Sequence, residues 1–227
     1  MFKKKKLIIK SNTIPIDILK NHLLSFPHNF PKYFKDIPKS FFDQQNRRIR
    51  SMTTVRSCSG FINLFKRSIL FTCPYDIELF IDKNEIRGMV GAHPWNNFVM
   101  KHADWQFLEY AKSDYSCVLK FHFDIFMQCN QNVLITNPWW HLNNFEIIPG
   151  LINCKDTMDL NIFVAKRRGV NQLYIPQGTP LCYIHIETED SIKLVYDTKK
   201  FNPSSQQGLF YKFTNLKNKL IKNLVDK

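Results

Sequence analysis

Residues Ser116 to Gln128 constrain the fold more than any other stretch. Leu119, Phe121, Phe123, Ile125 and Met127 alternate there with Val118, Lys120, His122, Asp124 and Phe126, a period of two that gives an extended chain one apolar and one largely polar face. Further β-prone runs follow the same grammar. SILFT and YDIELFID meet at Cys73-Pro74, EIRGMV follows a turn at Asp82-Lys83-Asn84, and VLIT follows Asn130 to Asn132. FEII, DLNIFVAK, LYI, LCYIHIE and SIKLVYDT complete the series, with Pro149-Gly150 and Gly178-Thr179-Pro180 as turns. MTTVRSC reads as another strand. About ten short strands at close spacing predict a mainly β fold, a sandwich or a barrel.

Helix is expected at three places only. Thr13 and Pro15 suit the start of a short one, SGFINLFKRS puts Phe61, Leu64 and Phe65 on one face, and TNLKNKLIKNLVDK spaces Leu216, Leu220, Ile221, Leu224 and Val225 as an amphipathic C-terminal helix. Residues 26–42 alternate Pro27, Pro31 and Pro38 with Phe26, Phe30, Tyr33, Phe34, Phe41 and Phe42. Proline at that density excludes a helix and predicts an extended arm whose aromatic rings pack on the body or on a neighbour. His93 to Trp105 has no period and reads as a surface loop.

Charge divides the chain in the same way. Residues 1–50 carry 12 basic and 3 acidic side chains, residues 51–197 carry 13 and 15, and the last 30 carry 7 and 1. A nearly neutral body at 51–198 is thus expected between a basic arm at 1–50 and a basic helical tail at 199–227. Basic ends of this kind suit nucleic acid or an acidic protein surface. Lys3, Lys4, Lys5, Lys6, Arg47, Arg48 and Arg50 would supply the charge, and Phe30, Tyr33, Phe34, Phe41 and Phe42 the anchors, because buried aromatics carry much of typical interface energy.

Cys58, Cys73, Cys117, Cys129, Cys154 and Cys182 show no CxxC pair and read as reduced thiols. The start, MFKKKKLIIK, has too short an apolar run for a signal peptide. No apolar stretch approaches the roughly 18 residues that span a bilayer. With only seven glycines and no P-loop, GxSxG or dinucleotide fingerprint, the common phosphate-cradling and serine-nucleophile motifs are absent from the sequence.

His122-Phe123-Asp124 followed by His185, with Lys193 beyond, resembles the His-x-Asp…His order of the 2-oxoglutarate-dependent oxygenases. That likeness implies an Fe(II) site made of His122, Asp124 and His185 on a β scaffold. Gly150-Leu151-Ile152-Asn153 and Gly178-Thr179-Pro180-Leu181-Cys182-Tyr183 resemble two motifs of the trimeric dUTPase family. Asn153 stands where that family's catalytic aspartate would be, and an amide cannot serve as a general base, so the resemblance implies a nucleotide binder without hydrolysis. TVRSCSGFINLFKRSILFTCPYDIEL, the HPW loop, PGLIN and GTPLCYIHI resemble an uncharacterised family of proteins from tailed phages, notably those of marine cyanobacteria, and from some bacteria. This likeness covers roughly residues 50 to 190. It implies a non-enzymatic virion structural or accessory protein, found in the virion or the host cytoplasm, tied to other virion proteins or to itself through its ends.

Overall fold

The computed structural model describes residues 5–43, 50–82, 85–102, 115–139, 141, 143–167, 169 and 171–199, and its architecture is mainly β. The strands are β1 (Lys5–Ser11), β2 (Leu23–Ser25), β3 (Ser40–Asp43), β4 (Arg50–Thr53), β5 (Ser68–Thr72), β6 (Ile77–Ile81), β7 (Ile86–Val90), β8 (His93–Pro94) and β9 (Val99–Lys101). They continue as β10 (Tyr115–Gln128), β11 (Asn132–Thr136), β12 (Phe145–Ile147), β13 (Gly150–Asn153), β14 (Met158–Arg167), β15 (Gln172–Ile175), β16 (Pro180–Ile186) and β17 (Ile192–Tyr196). Two short helices, α1 (Ile16–His22) and α2 (Ser59–Lys66), lie near the start.

Fifteen of these strands form three sheets. The largest has the order β12-β14-β10-β1-β17 with β9 also on β10, the second β13-β11-β16-β5-β2, and the third β15-β6-β7-β8. β3 and β4 make a separate hairpin. One core joins all three sheets: Leu7, Ile9, Phe121 and Phe123 from the first, Ile69, Phe71 and Ile184 from the second, and Ile77, Leu79 and Leu173 from the third are all fully or almost fully buried. The sandwich expected from the strand pattern is therefore present, with more strands than ten because the loops carry short extra pairings.

β10 behaves as its alternation requires. Leu119, Phe121, Phe123, Ile125 and Met127 are buried without exposure, while Lys120, His122 and Asp124 on the other face are half-buried. β6 shows the same rule, with Ile77, Leu79 and Ile81 buried and Glu78 and Phe80 exposed. Its hairpin to β7 forms where the turn residues predicted it. Gly88 sits at φ 142 in that hairpin, and a Cβ there would lie 2.0 Å from the Glu78 carbonyl oxygen, so no other residue fits without moving the backbone.

The expected arm at 1–50 is corrected. β1 runs antiparallel to β10 and parallel to β17 inside the largest sheet, and β2 pairs with β5 in the second. Leu7 and Ile9 have the apolar alternation of a core strand, and burying them outweighs the solvation of their lysine neighbours. Residues 26–39 pack on the body of the same chain. Asn29, fully buried, donates from Nδ2 to the carbonyls of Phe65 (2.7 Å) and Ser68 (2.9 Å), and Arg56 donates to the carbonyls of Lys35 and Ile37. Two local expectations also change. After Thr53 the run expected as one strand turns into a 3-10 turn at Val55–Ser57, capped by the Thr54 hydroxyl, and part of the expected 93–105 loop pairs as β8 and β9. The C-terminal helix lies outside the described residues.

Because β1 is a core strand, Leu7→Ala should lower the unfolding free energy by about 2–5 kcal/mol. Urea denaturation checks this; a loss within about 0.5 kcal/mol, as for a surface position, would return these residues to the status of an arm.

Candidate functional site

The residues singled out for chemistry fall on two sheets. His122 and Asp124 lie on β10, and His185 lies on β16 in the second sheet. Each of the two places has its own logic.

Around His122 the β10–β14 ladder breaks its register. His122 pairs with Asn161 and Phe126 with Asp159, so three residues of β10 span what one residue, Leu160, spans on β14. Asp124 absorbs the excess at φ 52, in the left-handed region that aspartate tolerates better than most side chains. The bulge gathers His122, Asp124, Asp159 and Asn161 on the outer face of the sheet, beside Lys120. Three of their atoms, His122 Nδ1, Asp159 Oδ1 and Asn161 Oδ1, are buried without a hydrogen-bond partner. Burial pushes the Asp159 carboxyl up, opposed by the nearby charges of Lys120 and His122 and reinforced by that of Asp124. Unpaired buried acceptors cost free energy, and their concentration at a bulge marks the place where the outer face is least satisfied by the protein itself. Asp159 and Asn161 did not stand out in the sequence. Their signal was the alternation of β14, where they precede and follow buried Leu160.

His185 is committed elsewhere. Its Nδ1 is 2.6 Å from the Ser68 hydroxyl and its Nε2 is 3.1 Å from the Thr136 hydroxyl. The Ser68 hydroxyl also donates to the Leu64 carbonyl and the Thr136 hydroxyl to the Asn137 carbonyl, so each hydroxyl that flanks the ring is itself held by the backbone. Trp139 stacks on the ring at 4.4 Å and on Tyr183 at 5.1 Å, and the Tyr183 hydroxyl donates to the Asn29 carbonyl. Burial lowers the His185 pKa to about 4. Both nitrogens therefore serve a small second core beneath the Trp139 loop. Among the described residues no group of three or more His, Cys, Asp or Glu side chains is placed to hold a metal ion.

The dUTPase-like positions are structural as well. The Asn153 side chain accepts from the Lys155 N–H, and the Gly178 turn closes by bonding its N–H to the Cys73 carbonyl. All six cysteines are free thiols. Burial raises the Cys73 pKa to about 12 and also raises that of Cys182. Cys129 differs, because the Cys154 thiol hydrogen-bonds to it and brings it down to about 7. The two residues are 25 apart in sequence and meet where β10 and β13 end.

The residues expected to bind a partner are redistributed. Phe34 is buried and Phe30 half-buried, stacked on each other at 4.4 Å and against Phe61 and Phe65 of α2. Their rings complete the body's own packing and are no longer available as anchors for another chain. Tyr33 is exposed. Lys5 and Lys6 lie on β1, with Lys6 exposed. Phe41, Phe42 and Arg50 belong to the β3–β4 hairpin; Lys3, Lys4, Arg47 and Arg48 lie outside the described residues.

On the open rim of the sandwich, basic residues from distant parts of the chain come together. Lys6 is the register partner of Lys193 across β1 and β17, and both are exposed. Lys20 of α1 and His28 border the same rim. Comparison with family models, with curated proteins and with solved structures finds no match to this chain.

Two measurements probe these places. Asp124→Val, forced to the same left-handed backbone, should lose about 1–2 kcal/mol, whereas Asp124→Gly should stay near wild type; equal losses would mean that the carboxylate, and not the backbone, fixes the bulge. His185, with its folded pKa below the unfolded value near 6.5, contributes stability that is present above pH 6.5 and is lost as pH falls towards 4. A His185→Phe variant should therefore show a shallower fall in stability over that window, and an unchanged slope would place the acid sensitivity elsewhere.

Proposed function

We propose that this chain is a non-enzymatic structural or accessory protein of a phage particle, a β-sandwich attached to acidic partner surfaces through basic side chains on one rim. The observation that carries this reading is the Lys6–Lys193 pair. Like charges directly opposite on neighbouring strands weaken a sheet, so this placement costs the fold stability and gains only when something negative covers it. The Phe30 and Phe34 rings are spent inside the body, which removes two of the expected aromatic anchors and leaves the basic rim as the feature that points to an acidic partner. The likeness of residues 50 to 190 to proteins of tailed phages supplies the setting.

The iron reading is less favoured by the geometry. It needs His122, Asp124 and His185 to converge, yet both His185 nitrogens are hydrogen-bonded and the ring lies under Trp139. The nucleotide reading needs Asn153 and the Gly178 turn, yet the Asn153 side chain accepts from the Lys155 N–H and the Gly178 N–H bonds to the Cys73 carbonyl.

Lys6→Glu separates attachment from folding. It should raise stability by about 0.2–1 kcal/mol by turning a like-charge pair into an opposite-charge one, while reducing recovery of the protein with purified particles. Mass spectrometry of particles provides the second readout. Absence of the chain from them, or undiminished recovery of the variant, would overturn the proposal.

A further inference from the structure

β17 and β2 are the last strands of their sheets among the described residues, and they lie side by side on the same rim of the sandwich. Between them runs a groove of about 540 Å³. Its apolar walls come from Leu24 and Phe26 on one side and from Ile192, Leu194 and Tyr196 on the other, and its basic residues are Lys193, His28 and Lys20, the last also paired with Asp17 at 3.1 Å. The lining contains no aspartate or glutamate among the described residues.

The backbone of β17 is arranged to extend the sheet. Lys5 N–H donates to the Ser191 carbonyl and Asp197 N–H to the Ile9 carbonyl, so residues 191 and 197 turn their polar groups towards β1. In a parallel ladder, alternate residues bond to the same neighbour. Ile192, Leu194 and Tyr196 therefore direct their N–H and C=O groups away from β1, along the groove. An edge of this kind is a template for one further strand.

We propose that the groove binds an extended acidic segment of a partner protein, added as a strand to β17. Side chains on one face of that strand enter the groove against Phe26, Leu194 and Tyr196, and acidic side chains on the other face meet Lys193 and Lys6. This names the chemistry of the partner in the assembly role above and rests on that reading. Charge selects among the possible occupants. A second copy of the chain would bring its own Lys193 and Lys6 to the same edge. The 28 residues after Lys199 carry six lysines and one aspartate, the same sign as the groove. Neither complements it, whereas an alternating acidic and apolar segment does. Lysine on an edge strand also guards against self-pairing, which agrees with a heterologous partner.

The test uses the full chain and a labelled peptide of four Glu-Val repeats, followed by fluorescence anisotropy and by amide NMR shifts. The expected result is saturable binding that weakens with added salt, with shifts centred on residues 192–196 and 23–26. Lys193→Glu should weaken it about tenfold, the equivalent of 1.4 kcal/mol. Leu194→Pro, which removes an outward N–H, should abolish it; if that variant does not fold, Lys20→Glu provides the second reading on charge. No binding, equal binding of four Lys-Val repeats, or preference for a peptide of residues 212–227 or for a short DNA duplex would each overturn the proposed occupant. Failure of this test with the chain still recovered in particles removes the groove and leaves the assembly role; peptide binding intact with the chain absent from particles removes that role.

Discussion

The antiparallel pairing of β10 with β14 is the constraint on which the rest of the structure depends. β10 is the longest strand, and it also receives β1 and β9. Its inward face supplies the aromatic floor of the core, with Phe123 packed edge-on to Phe71 of the opposite sheet at 5.7 Å. Aromatic pairs of that geometry add to the stabilisation from burial alone. The outward face is mixed, with Val118 and Phe126 buried and Lys120, His122 and Asp124 half-buried, and the two-residue excess at the bulge decides where its polar groups collect. Core and candidate site are two faces of one ladder.

β1 is held through this strand. A seven-residue segment with four charged or polar members would not form a strand alone, and it is ordered by two partners more than a hundred residues away in sequence. Placing it there fills the sheet between β10 and β17 and buries Leu7 and Ile9, at the expense of setting lysines along the rim. The basic character of the N-terminal segment is thus fixed to the sandwich at a defined register. A partner of the rim would meet charges already positioned, with little side-chain backbone ordering left to oppose binding.

Local pattern made much of the fold legible. β10, β5, β6, β7 and β16 follow from alternation or apolar runs bounded by turn residues, and α2 follows from the spacing of Phe61 and Phe65. What local pattern could not show was long-range pairing. The lysines around Leu7, Ile8 and Ile9 gave a charge signal stronger than the three-residue apolar run, so the segment read as an arm. Proline in residues 26–38 excluded an α-helix, although a 3-10 turn forms at Lys32–Lys35 behind Pro31, and composition cannot tell whether an aromatic ring packs on its own chain or another. Asn29 decides that here, through bonds to carbonyls beyond residue 64. For the candidate site, the polar face of β10 was visible, while Asp159 and Asn161 became partners of His122 only through the register of β14. His185 looked equivalent to His122 in sequence because nothing local reveals Ser68 and Thr136 on either side of it.

The two irregular places differ in how the polar groups are treated, and that difference bears on where binding can occur. Around His185 each hydrogen-bonding group of the ring has a hydroxyl partner and an aromatic lid, so protonation or ligation there must break existing bonds. Around Asp124 the acceptors are drawn together without partners. At the rim, like charges are set opposite one another beside β17, which has no further strand partner among the described residues. A fold selected for stability alone would leave neither the bulge acceptors nor the Lys6–Lys193 pair in that state, because each can be relieved by a single substitution. The rim couples its unrelieved charge to an edge that can accept a strand, which supplies directional bonding as well as attraction. The bulge offers no such edge. The physical asymmetry between these surfaces favours the rim over the bulge as the site of the proposed partner.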